Sequence, residues 1–320
     1  MNFSATTAGR ERPHGTGPDD GEGDSPMYEN FYRLKGKPFS LLPDPEFLFA
    51  SKRHRMAMNL LEYGMVAQAG FIVISGEVGT GKTTIIRHFL KAAGPDVTVG
   101  VITNCSRTLG KLLAWVAMAF DLDHRGRDPI RLYNRFVDFL LQQYAAGKRV
   151  VLVLDEAQNL KAEALEELRM LSNVNNEKDQ LLQIVLVGQP ELVETLKRPE
   201  LRQFVQRIAV HCDLSPLDAE ETAAYIRHRL GVVGGAPDLF DDEACLAVHH
   251  FSGGIPRLIN QLCDVALVYG FSDELPGIDF DTVFEVALSR QSLGLSPFAV
   301  LPDGVDKEAL KGRLTGKAGG

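Results

Sequence analysis

The sequence predicts an α/β protein: a parallel sheet covered by helices on both faces, followed by a smaller all-α domain. Three observations predict it. Phe71–Thr84 reads FIVISGEVGTGKTT, an apolar β-branched run that breaks into a glycine loop fitting G-x-x-x-x-G-K-[ST] and then opens a helix. Beyond it, short unbroken apolar runs alternate with helical periodicity, the pattern of strands buried on both faces. From Asp218 onward only helical periodicity remains.

In chain order, residues 1–26 are Gly, Pro, Asp and Glu with almost no large apolar side chains, and they predict a disordered acidic tail. Order begins with the aromatics of Met27–Tyr32 and runs through a Pro-rich extended segment. From Ser51, placed as an N-cap, Met56, Leu60, Leu61 and Met65 fall at helical spacing. After the glycine loop come a helix at Thr83–Lys91, a strand at Val97–Thr103, helices at Leu109–Phe120 and Pro129–Tyr144, and a strand at Val150–Leu154. A helix at Ala162–Leu171 and strands at Leu181–Val187 and Ile208–Leu214 close the alternation. Four helices follow, at Glu220–Val232, Asp241–Phe251, Pro256–Tyr269 and Phe280–Ser289. The sequence therefore divides into an α/β domain with its N-terminal linker over 27–214, a helical domain over 215–290, and a loosely held tail over 291–320.

Composition narrows the class. With 45% hydrophobic and 24% charged residues, the chain reads as an ordinary soluble globular protein. It has no apolar run of the roughly 18 residues a membrane helix needs, and no apolar core of a secretory signal at its start. Cys105, Cys212, Cys245 and Cys263 are widely spaced and form no C-x-x-C pair, which suggests core thiols in a reducing compartment and a cytoplasmic location. Of the net charge of -8, residues 1–30 contribute half, with six acids against two arginines. Nothing in this balance suggests a nucleic-acid footprint.

The chemistry starts at the loop Gly76-Glu77-Val78-Gly79-Thr80-Gly81-Lys82-Thr83-Thr84. Glycines at 76, 79 and 81 let successive backbone N–H groups turn inward around a polyphosphate at a helix N-terminus. Lys82 supplies a point charge for the β/γ-phosphates, and the Thr83 hydroxyl can ligate Mg²⁺. ATP and Mg²⁺ are thus the ligands to expect. The run VVLVLDE ends in Asp155 and Glu156. A strand beside the loop-bearing strand would deliver both carboxylates to the ligand-binding edge of the sheet. Asp155 would then hold Mg²⁺, and Glu156 would orient and deprotonate the attacking water.

The run DEAQNL–EALEELRMLSNVNNEKDQLLQIVLVGQPEL–PELRQFVQRI–LSPLDAEETAAYIRHRL–SGGIPRLINQLCDVAL, with FYRLKGKPFSLLPDPEFLF–S–H before the glycine loop, resembles the ExeA/GspA-type AAA+ ATPases of type II secretion. It is also similar to their solitary relatives in exopolysaccharide and exosortase systems. The resemblance covers roughly residues 28–290. It implies an AAA+ module with a five-stranded parallel sheet of order 5-1-4-3-2 and a helical lid. It further implies that Gln189 is a sensor-1 residue beside the γ-phosphate and that Arg257 is a sensor-2 residue. Arg207, with Arg202 second, would reach a neighbour's γ-phosphate, so the protein would be a homo-oligomer. The implied partner is a protein of an envelope secretion or polysaccharide-export assembly. Secretion ATPases of this kind continue through a transmembrane helix into a periplasmic part, and residues 1–320 hold neither, so the resemblance carries over the motor module. Two other readings stand beside this one: a DNA-linked ATPase of the transposition-regulator kind, and a nucleotide-gated scaffold without turnover.

Overall fold

The computed structural model describes residues 27–42, 44–103, 112–125, 128–175, 179–292, 297–301 and 306–316. In order, the elements are α1 (Tyr28–Phe31), α2 (Lys52–Val66), β1 (Phe71–Gly76), α3 (Lys82–Ala92), β2 (Val97–Ile102), α4 (Leu112–Ala119), α5 (Pro129–Ala145), β3 (Arg149–Leu154), α6 (Ala162–Leu171), β4 (Leu182–Gly188), α7 (Pro190–Leu196), α8 (Arg202–Val205) and β5 (Ile208–Leu214). The helical part holds α9 (Ala219–Val232), α10 (Asp242–Ser252), α11 (Pro256–Ser272), α12 (Phe280–Ser292) and α13 (Lys307–Thr315).

All five strands are parallel in the order β2-β3-β4-β1-β5, the predicted order read from the opposite edge. The alternation inside β1 explains why two helical layers are needed. Ile72 and Ile74 pack with Leu61 of α2 and with Ile85 and Phe89 of α3. Phe71 and Val73 pack on the other face with Leu152, Ile184, Leu168 and Phe204. Both faces of the central strands are buried, so their residues are mostly apolar, with buried Ser75 in β1 and Gln183 in β4 as polar exceptions. Ser51 caps α2 as expected, its Oγ accepting from the His54 backbone N–H at 3.2 Å. Of the predicted helix Leu109–Phe120, the first three residues lie outside the described residues.

The lid has its own core, centred on Ile226, Leu230, Phe240, Phe251, Leu262 and Val283. Two segments join it that the sequence reading placed elsewhere. Residues 28–49 had been assigned to the α/β domain, yet Tyr28, Leu34 and Phe39 are buried in the lid core, and Phe47 and Phe49 pack against it. Phe39 meets Phe240 edge-on at 5.7 Å. Arg229 of α9, itself buried, donates to the carbonyls of Pro38 and Ser40 and lies over the Phe47 ring at 4.4 Å. An extended Pro-rich segment has few backbone partners of its own, so its carbonyls and aromatic rings find theirs across the chain.

The second correction concerns the segment read as a loose tail. Phe298, Leu301 and Leu310 are buried, and α13 lies on α10 with Lys311 2.9 Å from Glu243, while Lys307 reaches Asp281 at 3.1 Å. Three widely spaced apolar anchors suffice to dock it, and the Gly, Pro, Lys and Asp residues scattered between them hid them. The predicted disordered tail, 1–26, lies outside the described residues. No helix among the described residues is long and apolar enough to cross a membrane.

Candidate nucleotide site

The site grows from the C-terminal edge of the sheet, where β1 runs out at Gly76. The chain then loops through Glu77–Gly81 before α3 starts at Lys82. Gly79 and Gly81 have φ of 87° and 97°, left-handed values that a Cβ disfavours, and neither has room for one. A Cβ on Gly79 would lie 2.7 Å from the Arg257 Cβ, and one on Gly81 would lie 2.8 Å from His54 Nε2. The loop is cinched internally, with Thr80 Oγ1 donating to the Glu77 carbonyl at 2.9 Å.

Lys82 is buried and folds back so that Nζ donates to the carbonyls of Gly76 (2.7 Å) and Glu77 (2.8 Å). Burial lowers its pKa, and the nearby carboxylates of Glu156 and Asp155 oppose that shift. Strand β3, expected beside β1, is separated from it by β4, and it still delivers those acids next to the loop because both strands end at the same edge of the parallel sheet. Thr83 Oγ1 donates to Asp155 Oδ2 at 3.2 Å, and the other oxygen, Oδ1, accepts the Glu156 N–H at 2.9 Å. A hydroxyl and a carboxylate so close offer the oxygen pair that a hard divalent cation takes, usually completed by water and phosphate. Among the described residues no cluster of three His, Cys, Asp or Glu could hold a metal by itself. A cation here would therefore depend on bound phosphate for the rest of its shell.

Glu156 has φ of 56°, a left-handed backbone that is uncommon outside glycine. Its Oε2 accepts from Gln158 Nε2 at 2.6 Å and from Gln189 Nε2 at 3.4 Å. Gln189 is the N-cap residue of α7, one step beyond β4. The lid closes the site from above. Arg257 is exposed at the second position of α11, and its backbone N–H donates to the Gly79 carbonyl at 3.3 Å.

Between sheet and lid lies a cleft of about 740 Å³. It is lined by Val78, Gly79, Gly81, Lys82, Thr83, Thr84, Glu156, Gln189 and Arg257 among the residues singled out in the sequence. Gly76, Glu77 and Thr80 build the loop's inner wall through the hydrogen bonds above, and Asp155 joins it through Thr83. Arg207 and Arg202 are not brought to this cleft. Arg207 precedes Ile208, which pairs with Phe71 at the far end of β1, some 15 Å from the loop at about 3.3 Å per residue. Its Nη1 donates to Ser172 Oγ at 2.9 Å and to the Arg169 carbonyl at 3.4 Å, whereas Arg202 is exposed on α8.

Sequence reasoning missed the other half of the cleft: Leu41, Leu42 and Phe47 from the linker, His54 from α2, and Tyr225, Arg229 and Asn260 from the lid. Tyr225 OH donates to Asn260 Oδ1 at 2.9 Å and accepts from Arg229 Nη1 at 3.0 Å, a buried chain of polar contacts. The i, i+4 spacing of Tyr225 and Arg229 could have flagged them as one face of α9. Their meeting with Asn260 and the linker is tertiary.

A glycine loop on a parallel sheet of this order, with paired acids on the next-but-one strand and a helical domain above it, gives the chain a P-loop architecture. Residues 66–196 match the AAA domain family. Solved structures agree in fold: the Aeropyrum pernix ORC2 protein superposes with a TM-score of 0.58 at 16% identity, covering 83% of this chain and 72% of that one. Cdc6p from Pyrobaculum aerophilum gives 0.60 at 17% identity, covering 84% and 74%. At these identities the likeness to the solved structures is one of fold.

The chain is similar to General secretion pathway protein A of Aeromonas hydrophila, with 42% identity over 247 residues. The match takes in 77% of this chain and 45% of that relative, so the chain spans a little under half its length. A more distant likeness, 25% identity over 215 residues, is to the Mu-like prophage FluMu DNA transposition protein B of Haemophilus influenzae, covering 65% of this chain and 68% of that one.

Proposed function

We propose that this chain hydrolyses ATP and uses the cycle to move its lid against its sheet, serving an envelope secretion or polysaccharide-export assembly. One observation carries the reading. Lys82, the Thr83–Asp155 pair and Glu156 converge on one wall of the cleft, and the lid residue Arg257 is hydrogen-bonded through its backbone to the same loop. Lys82 can leave the carbonyls of Gly76 and Glu77 for phosphate oxygens, which satisfy an ammonium at least as well. Thr83 and Asp155 would hold Mg²⁺, which when bound neutralises charge on the phosphates. Glu156 accepts the proton of the attacking water, and Gln189 lies beside it. Arg257 and the N-terminus of α11 add positive potential from the lid side. The apolar part of the cleft, with Leu41, Leu42, Phe47 and Tyr225, takes the base.

Arg207 or Arg202 completes the site of a neighbouring subunit, because neither can reach the loop of its own chain; the module therefore works as a homo-oligomer. The printed name of the 42% identical relative supports a secretion assembly as client. A DNA-linked role has the 25% identical transposition protein behind it, and the acidic composition speaks against it. Phosphate release by the purified protein, with and without Mg²⁺, tests hydrolysis. No release above background at any protein concentration, with ATP analogue bound, would leave a nucleotide-gated scaffold.

A further inference from the structure

The chain Asp155-Glu156-Ala157-Gln158 contains a residue to which the ATPase reading gives no task. Gln158 sits in a short 3-10 turn after β3 and uses both ends of its carboxamide. Its Oε1 accepts the backbone N–H of Gln189 at 3.1 Å, and its Nε2 donates to Glu156 Oε2 at 2.6 Å. The first bond fixes the amide's orientation, since a backbone N–H can only donate; the NH₂ group must then face the carboxylate. Backbone packing makes room for this reach. A Cβ on Gly188, at the end of β4, would come within 3.1 Å of Gln158 Oε1 and 2.9 Å of Leu192 Cδ2.

The consequence lies in how the Glu156 carboxylate is divided. Oε2 is held by Gln158 and more loosely by Gln189, while Oε1 accepts no hydrogen bond among the described residues, and Glu156 lines the cleft. A base needs one oxygen anchored and the other turned to its water. The left-handed backbone at Glu156 leaves the following turn to fix the side chain's direction, and the short bond from Gln158 does so. We propose that Gln158 is a positioning residue for ATP hydrolysis. It ties the Glu156 carboxylate to the turn carrying Gln189, so that base and Gln189 side chain move as one unit. The proposal rests on the reading of Glu156 as the base.

The test uses the full chain and the variants Q158M, isosteric but without hydrogen bonds, and Q158N, one methylene too short to span both partners. Each should lose about 10- to 100-fold in kcat, with KM and the Kd for a fluorescent ATP analogue within about threefold of wild type. In single turnover, E156Q/Q158M should be no slower than E156Q alone, because a residue that acts through Glu156 has nothing left to position. A readout independent of activity is the Gln158 side-chain amide signal in ¹H–¹⁵N spectra, identified by its absence in Q158M; it should shift in E156A. If E156Q is inactive while both Gln158 variants keep wild-type kcat, the proposal fails alone. If the double variant is slower than E156Q by the full Q158M factor, Gln158 acts independently of Glu156 and the proposal fails. If E156Q itself turns over at the wild-type rate, the base assignment falls first and takes this proposal with it.

Discussion

Gly79→Ala isolates the contact between lid and phosphate loop. At φ of 87° an alanine pays the left-handed penalty, about 1–2 kcal/mol. The new Cβ would lie 2.7 Å from the Arg257 Cβ and 3.2 Å from Ile255 Cγ2, so the start of α11 must retreat by roughly an ångström to reach ordinary van der Waals separation. That retreat breaks the 3.3 Å bond from the Arg257 N–H to the Gly79 carbonyl, a further loss of about 1 kcal/mol. The total, about 2–3 kcal/mol, should lower Tm by about 4–12 °C for a domain pair of this size. Because Lys82, Thr83 and Asp155 are untouched, ATP-analogue binding should weaken through the lid alone, by about 10- to 100-fold. Differential scanning fluorimetry and a fluorescence titration read the two effects. A Tm within a degree of wild type, together with unchanged affinity, would show that the lid does not rest on the loop and would refute the closed arrangement.

Lys82→Ala should abolish nucleotide binding, whereas Glu156→Gln should keep it and lose about 10²- to 10⁴-fold in turnover, as binding and phosphate-release assays would show. Arg207→Ala and Arg202→Ala should bind ATP normally. The one that supplies the neighbour's site should be inactive alone and regain part of its activity when mixed with Glu156→Gln, and equal full activity of both would remove the intersubunit role. Leu310→Ala, at a side chain 1% exposed, should destabilise by about 2–5 kcal/mol in urea melts, and a change near zero would return residues 306–316 to a loose tail. His54 is buried, and burial lowers its pKa from the ordinary 6.5, so the unfolded chain takes up that proton first on acidification. Its contribution to stability is complete above about pH 6.5 and declines as pH falls below that value towards the folded pKa. Urea melts across pH 7.5 to 5 should therefore show a smaller loss in His54→Gln than in wild type.

The sheet was legible because its signals are local. Val150–Leu154 and Ile184–Val187 are apolar without interruption because both faces are covered, and the glycine loop announces which strand it follows. The glycine-loop side of the cleft was legible for the same reason, since the loop is one contiguous stretch and the two acids another. The opposite side was not. Phe47, Tyr225, Arg229 and Asn260 come from three separate stretches, and none carries a pattern that distinguishes a cleft wall from ordinary core. The destination of residues 28–49 was hidden likewise. Aromatic residues say that a segment is buried, but not against what. Arg207 shows a different limit, because proximity to β5 in sequence could not reveal that its guanidinium is engaged by Ser172.

With residues 28–49 packed in the helical core, the mechanical parts of this molecule do not follow chain order. The sheet body, from α2 to β5, is an insertion within the helical body, and the chain passes between the two bodies twice, near residue 50 and near residue 216. A single covalent crossing would let the bodies swivel in any direction. Two crossings restrict them to rotation about the line that joins the crossing points, as a door turns on paired pins. Phe49 and Leu217 mark those points, and both line the nucleotide cleft. Nucleotide would therefore act almost on the axis, where displacements are small, and the lever arm would run outward through the helical body.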